Sequence, residues 1–100
     1  MARLDVHPMP GNGDGYVVDV QAELLAHLTT RVVVPLLPED KTSRPISDLN
    51  PVFEIKGNRY VMVTQALGAV SGHELKRVVT SLDAQHDSIA RALDLLLVGF

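Results

Sequence analysis

Short apolar runs rich in β-branched residues recur along the first two thirds of the chain, and such runs are typical of strands. Valine is the commonest residue in two of them, where single polar residues interrupt the apolar ones. The first run is shorter, and two more follow in the middle of the chain. The pattern therefore predicts strands at residues 4–7, 16–21, 31–36, 52–56 and 59–64.

Two local signals limit how these strands pair. Gly57-Asn58 separates the last two runs, and this is the two-residue connection expected of a tight hairpin with primed turn geometry. Pro35 lies within the third run and has no amide hydrogen to donate. It therefore predicts an edge, a bulge or the end of pairing at that point.

The segments between the runs are predicted to be loops and turns. Residues 8–15 are rich in proline and glycine, which predicts an exposed and flexible connection. Residues 22–28 are too short for a helix of their own, so we expect a turn with apolar residues near a surface. Residues 38–51 predict a loop, and residues 65–72 predict a strand end and a turn. Residues 75–80 fit a further strand, with a helix as the open alternative.

One amphipathic helix is predicted near the end of the sequence, over about 81–98. Ser81 is a natural N-cap, and Asp83 complements the positive end of the helix dipole. Steps of four and three residues build an apolar stripe that should face the sheet, made of Leu82, His86, Ile89, Leu93, Leu96 and Phe100. The apolar residues outside the stripe indicate a contact surface, and they are Leu95, Leu97 and Val98.

Composition and charge narrow the classes of function. The 100 residues fit one domain, 1–100, and a hydrophobic content of 46% is enough for a core. Cysteine is absent and no apolar run is long enough for a membrane helix, so we predict a cytoplasmic protein. A net charge of −3 without a basic cluster argues against a nucleic-acid-binding surface. Because so small a domain leaves apolar surface uncovered, we also expect a homodimer.

No arrangement of residues in the sequence indicates catalysis. The histidines lack metal-ligand spacing, so we expect no metal site, and no nucleophile or cofactor motif occurs. Asp19 lies between valines and is interpreted as the solvent face of its strand, with a hydrolytic carboxylate pair as the weaker alternative. We therefore predict a protein that binds another protein, with no catalytic residues and no cofactor, rather than an enzyme.

Several of these segments, taken in order, resemble the CcdB toxin family. They are YVVDVQ at 16–21, RVVVPL at 31–36, NPVFEI at 50–55 and a helix that ends at Gly99-Phe100. The resemblance spans nearly the whole chain. It implies a mostly β (α+β) fold, namely an SH3-like antiparallel β-barrel with a small inserted sheet and one C-terminal helix.

The resemblance also implies a function and partners. Family members are homodimeric toxins of toxin–antitoxin modules, which bind the A subunit of DNA gyrase and trap the complex in which both DNA strands are cut. A CcdA antitoxin silences them when its disordered tail folds onto the toxin. We therefore expect gyrase A, a CcdA-like antitoxin that covers the loop at 8–15 and a second copy of the chain as partners. Direct contact with nucleic acid or membrane is not expected.

The resemblance implies a gyrase-binding surface made from two parts of the chain. In the family the last three residues are a tryptophan, a glycine and an aliphatic residue, and here they are Val98, Gly99 and Phe100. An aromatic ring can stack on an arginine of its target, which Val98 cannot do. The other matched positions are Ala22, Leu24, Leu25, Asp94 and Leu97. For the leucines, ordinary core packing is the alternative.

Two other functions stay open. Because Val98 replaces the tryptophan, the chain could be a binding module of the same family that lost gyrase poisoning or has a different target. A barrel that binds nucleic acid directly is the second alternative. A net negative charge and only 4% aromatic residues argue against it.

Overall fold

The computed structural model describes residues 2–11 and 13–99, which form a mostly β fold with one helix. The strands are β1 (Asp5–Pro8), β2 (Tyr16–Asp19), β3 (Thr30–Pro38), β4 (Val52–Ile55), β5 (Asn58–Met62), β6 (Gly68–Ser71) and β7 (Thr80–Ser81), and helix α1 is His86–Leu97. The strands pair in the order β4-β5-β3-β2-β1-β7, with β6 also on β3. They curl into a nearly closed antiparallel barrel, so the predicted fold class is confirmed. No helix in these residues is long and apolar enough to cross a membrane.

Strand β3 changes its partner halfway along its length. Residues 30–33 pair with β6, whereas residues 36–38 pair with β5 of the small inserted sheet. Pro35 lies at the change, where its missing amide hydrogen costs no ladder bond, and its carbonyl accepts from the Val63 N–H at 2.9 Å. Pro35 therefore marks the end of pairing along one edge, while pairing with Val17 continues along the other.

The hairpin between β4 and β5 forms as predicted, but its turn lies one residue earlier. Ile55 pairs with Asn58, so Lys56 and Gly57 are the two turn residues. Their φ values of 52° and 83° are both positive, as a type I′ turn requires. This register keeps Phe53 and Ile55 together in the core, which decides the turn position over the local preference for Gly57-Asn58.

Two segments differ from the sequence-based expectation. Residues 65–72 contain a full strand, β6, whose small exposed residues give no apolar alternation. Residues 75–80 are mostly irregular, and their backbone joins the sheet at β7 and through a hydrogen bond from the Val79 N–H to the Val6 carbonyl at 2.7 Å. Neither segment buries a regular face, so periodicity carries little information there.

Helix α1 begins later than predicted, and its buried face is shifted. Residues Asp83–Gln85 form a 3-10 turn, in which Ser81 Oγ accepts the Asp83 N–H at 3.2 Å. The tighter winding of that turn breaks the stripe. Leu82 and Ile89 are buried in the main core, but His86 is exposed and Ala92 is buried instead.

The sheet carries apolar side chains on both of its faces. The main core includes Leu4, Val18, Leu36 and Ile89. A second, smaller cluster lies on the other face and consists of Val17, Val33 and Leu75, with Met9 and Val70 against it. The second cluster covers the face of β2 that carries Val17 and Asp19, whereas the sequence pattern predicted that this face is exposed to solvent.

Candidate functional site

The first candidate surface is the leucine turn, which we define as residues 22–28. Its centre is a 3-10 turn at Glu23–Leu25, closed by hydrogen bonds from Leu25 N–H to the Ala22 carbonyl and from Ala26 N–H to the Glu23 carbonyl. Leu24 is 86% exposed, and Leu25 and Leu28 are also exposed. The expected turn near a surface is confirmed, and core packing is excluded as the role of these leucines.

A buried ion pair lies beneath the leucine turn, and it corrects the interpretation of Asp19. This side chain is fully buried and accepts a hydrogen bond from Arg31 Nε at 2.8 Å. Arg31 Nη2 lies 2.6 Å from the same carboxylate oxygen, at an angle too poor for a hydrogen bond. Asp19 faces the second cluster rather than water, because Val33 lies directly opposite it on β3.

Gln21 connects this buried pair to the turn. Its backbone N–H donates to Asp19 Oδ1 at 3.0 Å, and its side-chain Nε2 donates to the Leu25 carbonyl at 2.9 Å. Its Oε1 accepts from the Val32 N–H at 3.0 Å. Sequence reasoning missed all three side chains of this network, although opposite charges two strand positions out of register on neighbouring strands would have been a signal.

The second candidate surface is the tail, which we define as Leu97, Val98 and Gly99. Leu97 is 68% exposed and Val98 is 59% exposed. The helix ends because Gly99 takes a φ of 97°, and the Asp94 carbonyl accepts both the Val98 and Gly99 N–H groups at 2.8 and 3.0 Å. Phe100, the last predicted site residue, lies outside the described residues.

The predicted site residues thus fall on two separate elements. Ala22, Leu24 and Leu25 are exposed on the leucine turn, which is anchored to β2 and β3. Asp94, Leu97 and Val98 are exposed at the end of α1, which packs Ile89 and Ala92 into the main core. Within one copy of the chain, the exposed apolar residues thus come from a turn between two strands and from the end of the helix.

A third feature is a groove of about 360 Å³ beside the first loop. Residues 8–11 form one wall, and Glu74, Lys76 and Arg77 form the other. Among the described residues neither cation of the groove forms an ion pair, and together they outweigh the single negative charge of Glu74. His7 is buried next to it, with Nδ1 3.0 Å from the Arg77 carbonyl, and serves to hold that wall.

Two exposed ion pairs flank the far side of the same loop. Lys41 donates to Asp14 at 2.7 Å, and this bond and the charge behind it lower the pKa of the Asp14 carboxyl. Arg59 donates twice to Glu39, which lowers the pKa of Glu39 in the same way. Both pairs therefore stabilise the folded state at pH values above the usual carboxylate pKa. This stabilisation is lost as pH falls through the lowered pKa values. Exposed pairs contribute little, so the loop depends on its other contacts.

The histidines and the buried carboxylate are the side chains best suited to acid–base or metal chemistry. Within residues 2–11 and 13–99, no three histidine or carboxylate side chains are placed to hold a metal ion. His27, His73 and His86 are all exposed and lie on different elements. The buried carboxylate, Asp19, is committed to Arg31 and to the backbone.

Comparison with known proteins identifies a matching family and proteins of similar fold. The family model described as CcdB protein matches residues 3–99. The fold is similar to the Mycobacterium tuberculosis toxin MazF-mt6, with a TM-score of 0.76, 18% identity and coverage of 92% of this chain and 94% of that one. It is also similar to an endoribonuclease in complex with its cognate antitoxin from a mycobacterial species, with a TM-score of 0.75, 20% identity and coverage of 97% and 94%. No curated protein sequence matches the chain.

Proposed function

The chain belongs to the CcdB family of toxin–antitoxin toxins, and on that premise we propose that it binds the DNA gyrase A subunit. In this proposal it traps the gyrase–DNA complex in which both strands are cut. A CcdA-like antitoxin neutralises it, and the active form is a homodimer in the cytoplasm.

The exposed leucine turn is the observation that carries the proposal. Leu24 is 86% exposed, although its side chain is as apolar as those of the core. The tail adds Leu97 and Val98, which are both more than half exposed. Apolar side chains grouped in this way on a folded surface are typical of protein-binding sites, because a partner removes them from water. Both groups coincide with positions that the family resemblance assigns to gyrase binding.

We propose that the protein acts without chemistry of its own. Gyrase holds the DNA and cuts it, so a poison needs only to bind the cut state more tightly than the resealed one. A formal charge of −3 fits a protein that contacts gyrase rather than DNA. Cleavage of RNA by the purified chain would contradict this part of the proposal, and it is a needed control because one similar fold is an endoribonuclease.

The groove at residues 8–11 is the proposed antitoxin site. Lys76 and Arg77 line it and favour an acidic segment of the partner, while Pro8, Met9 and Pro10 supply apolar surface beside the charges. The solved relative with its cognate antitoxin supports a partner of this kind.

A second candidate function follows from Val98. This residue stands where the family has a tryptophan, so the chain could keep antitoxin binding while its grip on gyrase is weak or directed at another target. The two candidates differ in one measurable property, which is whether induction of the chain produces gyrase-linked DNA breaks.

Induction in bacteria tests the proposal directly. We expect the full chain to stop growth and to produce gyrase-linked breaks, and a chain that ends at Val98 to do neither. Leu24→Ser should also abolish both effects, because it removes the most exposed apolar contact. Ile46→Ser is the matched control, since Ile46 is 56% exposed on a different loop. Normal growth with the full chain, or breaks that persist in both altered chains, would contradict the proposal.

Val98→Trp should strengthen gyrase binding. A stacked ring contributes about 0.5–2 kcal/mol, which corresponds to about 2- to 30-fold in affinity for a gyrase A fragment. Val78→Trp is the control, because Val78 is 51% exposed and lies outside both candidate surfaces. Equal gains from the two substitutions would mean that the added ring binds nonspecifically and that Val98 does not face gyrase.

A further inference from the structure

The side chain of Gln21 joins the leucine turn to the barrel. It is only 7% exposed, and its side-chain amide forms one hydrogen bond as a donor and one as an acceptor. Nε2 donates to the Leu25 carbonyl at 2.9 Å, and Oε1 accepts from the Val32 N–H at 3.0 Å. A carbonyl can only accept and an N–H can only donate, so the two partners fix the orientation of the amide.

The same side chain completes the sheet where β2 stops. Strand β2 ends at Asp19, and the Asp19 carboxylate accepts the Gln21 N–H at 3.0 Å. The Val20 N–H still donates to the Val32 carbonyl at 3.0 Å, and the chain then leaves the ladder, so the Gln21 side chain provides the acceptor for the Val32 N–H on β3. The strand end, the buried ion pair and the start of the turn are therefore one hydrogen-bonded unit.

Gln21 and Arg31 donate hydrogen bonds to two carbonyls at the end of the turn. The last carbonyls of a helical turn have no partner within the turn. The Leu25 carbonyl accepts from Gln21 and from the Leu28 N–H at 3.1 Å. The Ala26 carbonyl receives a longer bond of 3.5 Å from Arg31 Nη1. Both side-chain donors are anchored in the barrel.

Besides these bonds, the turn is held at its start, where the Glu23 carboxylate accepts from the Arg3 N–H. It is a single 3-10 turn with no buried residue, and a turn of that length has no stability of its own. Its leucines face solvent, so apolar packing does not fix it either. Its conformation in the free protein therefore comes largely from three anchors: the Glu23 carboxylate on the Arg3 N–H at its start, and the bonds to Gln21 and Arg31 at its end.

We infer that Gln21 is a positioning residue, which holds the leucine turn in the conformation that binds the target. A surface ordered before contact loses less conformational entropy on binding, and this raises affinity without any new contact. The inference rests on the proposed function only for the identity of the target. The hold on the turn is a property of the free protein.

Gln21→Glu tests the inference with a minimal change. The new side chain keeps an acceptor for the Val32 N–H but places an oxygen against the Leu25 carbonyl, where two acceptors repel each other. Asn50→Asp is the matched control. Asn50 is also 7% exposed and lies in a loop distant from the leucine turn. Its amide accepts from the Ile46 N–H and donates to the Met62 carbonyl.

Amide hydrogen exchange in the free protein and affinity for a gyrase A fragment are the two measurements. In Gln21→Glu we expect exchange of the Leu25, Ala26 and Leu28 amides to rise by about tenfold, with the amides of β3 much less affected. Affinity should fall by about tenfold. Asn50→Asp should leave both the turn amides and the affinity unchanged.

Three results would overturn the inference. In Gln21→Glu, amide exchange could rise evenly through the barrel, which would indicate a general structural role of Gln21. The amides of the leucine turn could instead exchange as slowly as in the unaltered chain. Affinity could also stay unchanged although the turn is loosened. If the unaltered chain fails to bind gyrase A, the proposed function is wrong, and the exchange measurement still decides whether Gln21 holds the turn.

Discussion

Arg31→Met is expected to lower the free energy of unfolding by about 3–5 kcal/mol. Arg31 is 1% exposed and is the charge partner of Asp19, which is not exposed at all. Removal of the guanidinium leaves a carboxylate inside the protein with no counter-charge, and the methionine cannot replace the hydrogen bond from Nε. Urea denaturation followed by circular dichroism measures the loss.

Two further variants show whether the lost charge partner is the cause. Asp19→Asn combined with Arg31→Met removes both charges and retains an acceptor for the Gln21 N–H, so it should recover much of the lost stability. Arg59→Met removes a guanidinium from an exposed pair with Glu39 and should change the unfolding midpoint little. A double variant as unstable as Arg31→Met alone would show that shape, rather than charge, makes Arg31 necessary.

The buried pair also shows what the sequence could and could not predict. The runs of valine identified β2 and β3 correctly, and alternation placed Asp19 on the face opposite Val18. The sequence does not say that this second face is covered. Leu75 covers it from an irregular segment that is distant along the chain, and no local pattern announces such a contact.

The same limit explains the misplaced elements. Strand β6 consists of small residues of which only Val70 is half-buried, so its pairing with β3, rather than an apolar alternation, makes it a strand. The hairpin turn moved to Lys56-Gly57 because the core required Phe53 and Ile55 on one face. In each case a tertiary contact outweighed the local preference on which the prediction was based.

The exposure of the candidate residues was easier to predict than their arrangement. Exposure of Leu24, Leu97 and Val98 agrees with their expected role as contact residues. Their separation on two elements could not be read from spacing, because it depends on how the barrel places α1 and the leucine turn. A homodimer offers a way to bring such surfaces together, and this arrangement remains a proposal.

Gly15→Ala is expected to destabilise the protein by about 3 kcal/mol or more. Gly15 has a φ of 98°, which is unfavourable for alanine by about 1–2 kcal/mol. A Cβ at this position would also lie 2.3 Å from the Leu36 carbonyl oxygen, which belongs to β3 and cannot move without disturbing the sheet. Thermal unfolding and urea denaturation should both detect the loss.

Gly11→Ala separates the two causes. Gly11 lies in the same loop with a φ of 82°, but an added Cβ there would meet nothing within 4 Å. We expect it to cost only about 1–2 kcal/mol, so the excess in Gly15→Ala measures the close approach to β3. Equal losses would place the loop away from Leu36. An excess would mean that the loop is clamped to the barrel at Gly15, just before Tyr16 pairs with Leu36. The groove wall at residues 8–11 would then extend from a fixed base.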